Sequence, residues 1–168
     1  MLCARIRDVH VFLYNRQTND GDSMTDKEYL LSTLVTRAHC SGQQLRALVR
    51  LPMAIDLKSL LEHQIQEYLH LEYRICAEAA SVGLFLRRKD PLCLMIQCKL
   101  KALHLSLYKT SLVLRNHIIQ QCTLGIRDGR KVLSCCDHQP RIRDLAQQLI
   151  DSEQACIGQL KKCVPDGT

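Results

Sequence analysis

The segment Ile55–Leu84 constrains the fold more than any other part of the sequence. It contains no Pro, and its one Gly, Gly83, lies at its end. Its apolar residues recur every three or four positions, which is the spacing of one face of an α-helix. These residues are Leu57, Leu61, Ile65, Tyr68, Leu69, Ile75, Cys76 and Ala79. A helix of this length is not stable alone, so partner helices of similar length are expected to pack along it.

Three further segments carry the same helical spacing, at residues 26–50, 91–133 and 140–163. Leu51-Pro52 and Asp90-Pro91 separate them from the central segment, because Pro breaks a helix or opens a new one. Aromatic residues make up only 4% of the chain and Trp is absent, which disfavours a sheet. The sequence therefore predicts an all-α protein, an antiparallel up-down-up-down four-helix bundle.

The domain boundaries follow from the first helix start. Thr25 and Glu28 have the spacing of a capping box, and Met24 immediately precedes them. We therefore predict that residues 1–23 are an N-terminal extension outside the core, that residues 24–164 form the bundle, and that residues 165–168 are a C-terminal tail.

Composition argues against several classes of partner. The formal net charge of +6 is modest and its basic residues are scattered, so nucleic-acid binding is not predicted. No apolar run is long enough to span a membrane. The first residues do not resemble a secretory signal, so the ten cysteines are expected to be reduced and mostly buried. The chain has neither a Gly-rich phosphate loop nor a recognisable nucleophile motif, which favours a non-catalytic protein.

Two acids interrupt the apolar faces and form the candidate site. Glu72 lies near the middle of the second helical face, and Glu153 near the middle of the fourth. In an up-down-up-down bundle those helices run parallel, so both acids are expected in one buried layer. Oxygen, sulfur and nitrogen ligands from this layer would suit a metal ion. The predicted set is Glu72, Glu153, Cys156, Cys76 and His104.

A structural role for the two acids is the other interpretation. A buried carboxylate needs a partner, and Arg37 at the edge of the first helical face is available. An internal Glu–Arg pair would then account for both acids without a metal. Glu67 and His70 match the Glu-x-x-His pattern of di-iron bundles by letter, but their positions on the helix predict that both face water.

The second half of the chain resembles small ferritin-like bundle proteins, including the spore coat protein F type and related bacterial families of unknown function. The resemblance rests on Gly125-Ile126, Lys131-Val132-Leu133, Arg143-Asp144-Leu145-Ala146, Leu149-Ile150, Glu153, Ile157 and Leu160-Lys161. It implies a ferritin-like bundle in a bacterial cytoplasm or spore. The Glu-x-x-His pairs of di-iron relatives are replaced here by Glu72-x-x-Ile75 and Glu153-x-x-Cys156, so the resemblance implies a degenerate or absent metal centre.

Two functions remain open at this point. One is a structural or interaction protein without a cofactor, self-associating through the ridge of Leu105, Leu112 and Ile119. The other is a ferritin-like protein that binds iron, manganese or copper through its inward Glu and Cys side chains.

Overall fold

The structure is a computed structural model that describes residues 26–86 and 111–162. Within these residues the regular secondary structure is helical, and no strand is present. The four helices are α1 (Asp26–Leu48), α2 (Ile55–Ser81), α3 (Ser111–Cys135) and α4 (Pro140–Lys162). In the part of the chain covered by these helices, none is long and apolar enough to cross a membrane. The all-α prediction is confirmed for the described residues.

The helix ends agree with the sequence to within a few residues. α2 stops at Ser81 rather than Leu84, because Gly83 adopts a left-handed conformation with φ 75°. The amides of Gly83 and Leu84 then donate to the carbonyls of Ala80 and Ala79, at 3.1 Å and 2.9 Å. This pair of bonds is a Schellman motif, which satisfies the last carbonyls of a helix. The predicted helix start at Pro91, the 1–23 extension and the 165–168 tail lie outside the described residues.

One hydrophobic core joins the four helices. α1 packs against α2 and α3, α4 packs against α2 and α3, and α1 also contacts α4 across the middle. Buried aliphatic side chains dominate, as the apolar spacing predicts. Those with almost no exposed surface include Leu31, Leu34, Leu61, Ile75, Ile118, Leu149 and Leu160.

Contacts within each sequential helix pair fix its direction. In the first pair, His39 contacts Glu72, and Gly42 lies against Tyr68 further back along α2. α1 and α2 therefore run in opposite directions. In the second pair, Gly125 faces Glu153, and Gly129, later on α3, faces Ile150 and Ala146, earlier on α4. α3 and α4 therefore also run in opposite directions.

The contacts between α2 and α4 contradict one prediction. Gln64 and Tyr68, early on α2, bond to Ser152 and Glu153, late on α4. Further along α2, Arg74 and Glu78 bond to residues earlier on α4, namely Gln148 and Arg141. α2 and α4 thus run in opposite directions. The expectation that the second and fourth helices run parallel, and with it the up-down-up-down order of the described helices, is wrong.

Candidate functional site

Glu153 is the most deeply buried charged residue of the described chain, with no exposed surface. It is carried inward by the apolar face of α4, between Ile150 and Cys156. The hydroxyl of Tyr68 on α2 donates a hydrogen bond to Glu153 Oε2 at 2.7 Å. Tyr68 is itself only 3% exposed, so this bond links two helices inside the core. A hydrogen bond of this kind offsets part of the cost of burying a polar group.

The other side of the Glu153 carboxyl group rests against the backbone of α3 at Gly125. A Cβ placed on Gly125 would lie 2.7 Å from Glu153 Cδ, and closer still to Oε1. Only a residue without a side chain leaves room for the carboxyl group there. Oε1 has no hydrogen-bond partner of regular geometry among the described residues. Glu153 is therefore fixed by Tyr68 on one side and by the α3 backbone on the other.

Two thiols complete this cluster. Cys122 on α3 and Cys156 on α4 are 2% and 1% exposed. A hydrogen bond between them raises the pKa of Cys122, and burial raises it further. Cys122 also lies beside the Glu153 carboxyl group. We call Tyr68, Cys122, Glu153 and Cys156 the polar core cluster.

The ionisation of this cluster is dominated by burial. Burial raises the pKa of Glu153, and this effect outweighs the lowering by hydrogen bonds from Cys122 and Tyr68 and by the charge of Arg37. Burial also raises the pKa of Tyr68 well above its ordinary value, and the Glu153 charge adds to the rise. The environment therefore favours the neutral forms of these groups, as expected for titratable side chains removed from water.

Arg37 has a different role from the predicted one. Its guanidinium Nη2 donates a hydrogen bond to the backbone carbonyl of Gln121 on α3. Its Nε is buried and has no hydrogen-bond partner in the described ranges. The positive charge lowers the pKa of Glu153 without overcoming the effect of burial. Arg37 thus ties α1 to the α3 backbone and acts on Glu153 through its field.

The partner of Glu72 is a histidine of α1. His39 Nδ1 on α1 lies 3.2 Å from Glu72 Oε1, and the two side chains are 16% and 11% exposed. The pair lies at the edge of the α1–α2 contact, where a polar group can remain partly hydrated.

The predicted metal set is not gathered in one place by the described residues. Glu72 pairs with His39, whereas Glu153 and Cys156 belong to the polar core cluster. Cys76 is partly buried and packs against the hydrophobic core. His104 lies outside the described residues, so the complete set stays a prediction. Glu67 and His70 are both exposed, as their helical positions predict.

The arrangement of donors in the described chain does not fit a metal ion. No group of three or more His, Cys, Asp and Glu side chains in residues 26–86 and 111–162 has a geometry that could hold one. The two carboxyl oxygens of Glu153 show the local reason. Oε2 accepts a hydrogen bond from the Tyr68 hydroxyl, and Oε1 is turned toward Gly125. Metal sites in helical bundles need several inward carboxylate and imidazole ligands that converge.

Comparison with known proteins adds no relative. No family model, no curated protein and no solved structure matches this chain. The resemblance to ferritin-like bundles therefore stays a prediction that rests on the sequence pattern.

Proposed function

We propose that this protein is a non-catalytic structural or interaction protein, built as a ferritin-like four-helix bundle with a degenerate core, in a bacterial cytoplasm or spore. The proposal rests on the position and the contacts of the Glu153 side chain. This acid lies at the centre of the core, where a ferritin-like protein would place a metal ligand. Its oxygens are directed to Tyr68 and to the α3 backbone instead.

The helix directions support the ferritin-like part of the proposal. α1 and α2 are antiparallel, α3 and α4 are antiparallel, and α2 opposes α4. α2 and α3 consequently point the same way, so α2 ends and α3 begins at opposite ends of the core. Ferritin-like bundles contain one long crossover connection, whereas up-down-up-down bundles use short loops only. The observed directions favour the ferritin-like order.

A role in interaction is supported by apolar surface at the start of α3. Leu112 is 50% exposed and the neighbouring Val113 is 36% exposed. Ile119, predicted on the same ridge, is partly buried against the core. Leu105 lies outside the described residues. Self-association through this ridge stays a proposal, and of its two described residues Leu112 is the more exposed.

The second candidate function is a ferritin-like protein that binds iron, manganese or copper. It is favoured by the presence of a buried carboxyl group beside two buried thiols, Cys122 and Cys156. It requires Glu153 to turn away from Tyr68 and to bind the ion as a charged carboxylate. Both changes cost free energy in the arrangement seen here, because the hydrogen bond is lost and a charge is created inside the core.

Elemental analysis distinguishes the two functions. We expect protein purified without chelator to contain far less than one iron, manganese, copper or zinc ion per chain, because the donors do not converge. Mass spectrometry of the digested protein measures this content directly. Glu153→Gln should have the same low content as the wild type, and so should Glu67→Gln, which alters an exposed acid. One ion per chain that is lost in Glu153→Gln but kept in Glu67→Gln would establish the metal-binding function.

A further inference from the structure

Cys122 and Cys156 are paired in space, although they are far apart in sequence. They come from the two helices of the α3–α4 hairpin, and each lies three residues from the contact between Gly125 and Glu153. Both are free cysteines and both are buried. Nothing in the proposed structural function uses this pairing.

The close packing of α3 on α4 brings these two positions into register. At Gly129, an added Cβ would lie 2.7 Å from Ile150 Cγ1 and 3.3 Å from the Ala146 carbonyl oxygen. Small residues at such positions allow two helix backbones to approach closely. Cys122 lies three residues before Gly125, and Cys156 lies three residues after Glu153, the residue that Gly125 faces. Because α3 and α4 are antiparallel, three residues back along α3 and three residues forward along α4 lead toward the same end of the helix pair. The two cysteines therefore face each other about one helical turn from the contact between Gly125 and Glu153.

A disulfide is the covalent bond that this juxtaposition suits. It requires Cα atoms roughly 4.4–6.8 Å apart and thiols that point toward each other. The close approach of α3 and α4 at Gly125 and Gly129 favours the first condition, and the facing positions of the two cysteines favour the second. We propose that Cys122 and Cys156 form a redox latch, a disulfide that closes across α3 and α4 in response to a low-molecular-weight disulfide such as oxidised glutathione.

The exchange balances in two steps. One cysteine thiolate attacks the small disulfide, forms a mixed disulfide and releases one thiol. The second cysteine then attacks the protein-bound sulfur, which forms the Cys122–Cys156 bond and releases a second thiol. The two cysteines lose two electrons and two protons in total, and the small disulfide is reduced to two thiols.

Burial makes the latch slow to close and slow to open. Only the thiolate attacks a disulfide, and the interaction with Cys156 together with burial raises the pKa of Cys122. Reaction therefore requires the α3–α4 contact to open, which happens during folding and in local opening of the hairpin. Once closed, the bond is shielded from thiols by the same packing. Cys135 is exposed and reacts with the oxidant sooner.

Peptide mapping of the full chain tests the latch. The protein is refolded in a buffer of reduced and oxidised glutathione, digested without reduction and analysed by mass spectrometry. The expected product is a Cys122–Cys156 disulfide, absent in Cys156→Ser and retained in Cys76→Ser, which removes a partly buried thiol of α2. Predominant linkage of either cysteine to another position, or no linkage of the two, would overturn the proposal.

The thermal midpoint provides a second measurement. A native disulfide reduces the number of conformations open to the unfolded chain, and it raises the stability of the protein when its geometry fits the folded state. The oxidised wild type should therefore unfold at a higher temperature than the reduced wild type, with no such difference in Cys156→Ser. A lower midpoint on oxidation would show that the bond does not fit the native register, and would also overturn the proposal. Neither result depends on the metal content, so the latch and the proposed function are tested separately.

Discussion

Replacing Gly125 with Ala is expected to destabilise the protein by about 1–3 kcal/mol, the usual range for overpacking a core. The added methyl group would lie within 2.7 Å of Glu153 Cδ. Glu153 has no exposed surface, so its carboxyl group cannot swing into solvent. It must instead break its bond to Tyr68 or push α3 away from α4. Chemical denaturation of wild type and variant measures the loss of free energy of unfolding.

A matched substitution on α4 provides the control. Gly158 is also helical, and an added Cβ there meets no atom within 4 Å. Gly158→Ala should stabilise by about 0.5–1 kcal/mol, because Ala favours the helix more than Gly does. In a Glu153→Ala background the cost of Gly125→Ala should largely disappear, which a double-mutant cycle detects. Equal effects of Gly125→Ala and Gly158→Ala would contradict the close contact between Gly125 and Glu153.

Replacing Glu153 with Gln should change how stability depends on pH. The pKa of Glu153 is raised in the folded protein, mainly by burial. The contribution of Glu153 to stability is therefore fully present at a pH below its pKa in the unfolded chain. It is lost as the pH rises through the pKa that Glu153 has in the folded protein. Between these two values, the wild type should lose about 1.4 kcal/mol per pH unit from this group. Gln stays neutral and can accept the Tyr68 hydrogen bond, so the variant should lack this loss.

Urea unfolding across a pH series gives the comparison. Near the acid end of the window the two proteins should have similar stability, since Glu153 is then protonated. Above the folded pKa, Glu153→Gln should be the more stable protein. Glu67→Gln removes an exposed carboxyl group and should preserve the wild-type dependence. A Glu153→Gln variant that is less stable at neutral pH would show that an ionised Glu153 is required, as in an ion pair with Arg37 or a metal complex.

The helices and most of their buried faces were predictable from the sequence, although Leu69, predicted on the inward face of α2, is 37% exposed. Apolar spacing in α2 identified Leu61 and Ile75 as core residues and Glu72 as an inward acid, and the spacing in α4 identified Glu153. All four are buried in the structure. This signal is reliable because a helix of this length has to bury one continuous face.

The direction of the helices was not predictable in the same way. Periodicity records which side of a helix is buried, and it is unchanged when the helix is reversed. The assumption of short links placed α2 parallel to α4, whereas the contacts of Tyr68 and Arg74 with α4 show the reverse. Glu153 bonds to Tyr68, four residues before Glu72 on α2, and Glu72 pairs with His39 on α1.

The partners of the two acids depend on contacts between helices. His39 lies at the edge of the buried face of α1, and only the antiparallel alignment of α1 with α2 brings it to Glu72. Folding the hairpin symmetrically about Leu51-Pro52 would place His39 opposite Gln64, about two turns before Glu72, so the turn in the sequence does not indicate this neighbour. Gly125 lies within α3, where its missing side chain admits Glu153, a role that the sequence of α3 alone does not reveal.

The protonation of Glu153, followed by nuclear magnetic resonance, tests the central claim most directly. The full chain is labelled with ¹³C at the glutamate carboxyl carbons, and the Glu153 signal is assigned from its absence in Glu153→Gln. A structural Glu153 predicts a titration midpoint above the ordinary glutamate value of about 4.3, unchanged by one equivalent of Zn²⁺. An ordinary or lowered midpoint, together with a shift of this signal on adding Zn²⁺, would contradict the structural role and identify Glu153 as a metal ligand.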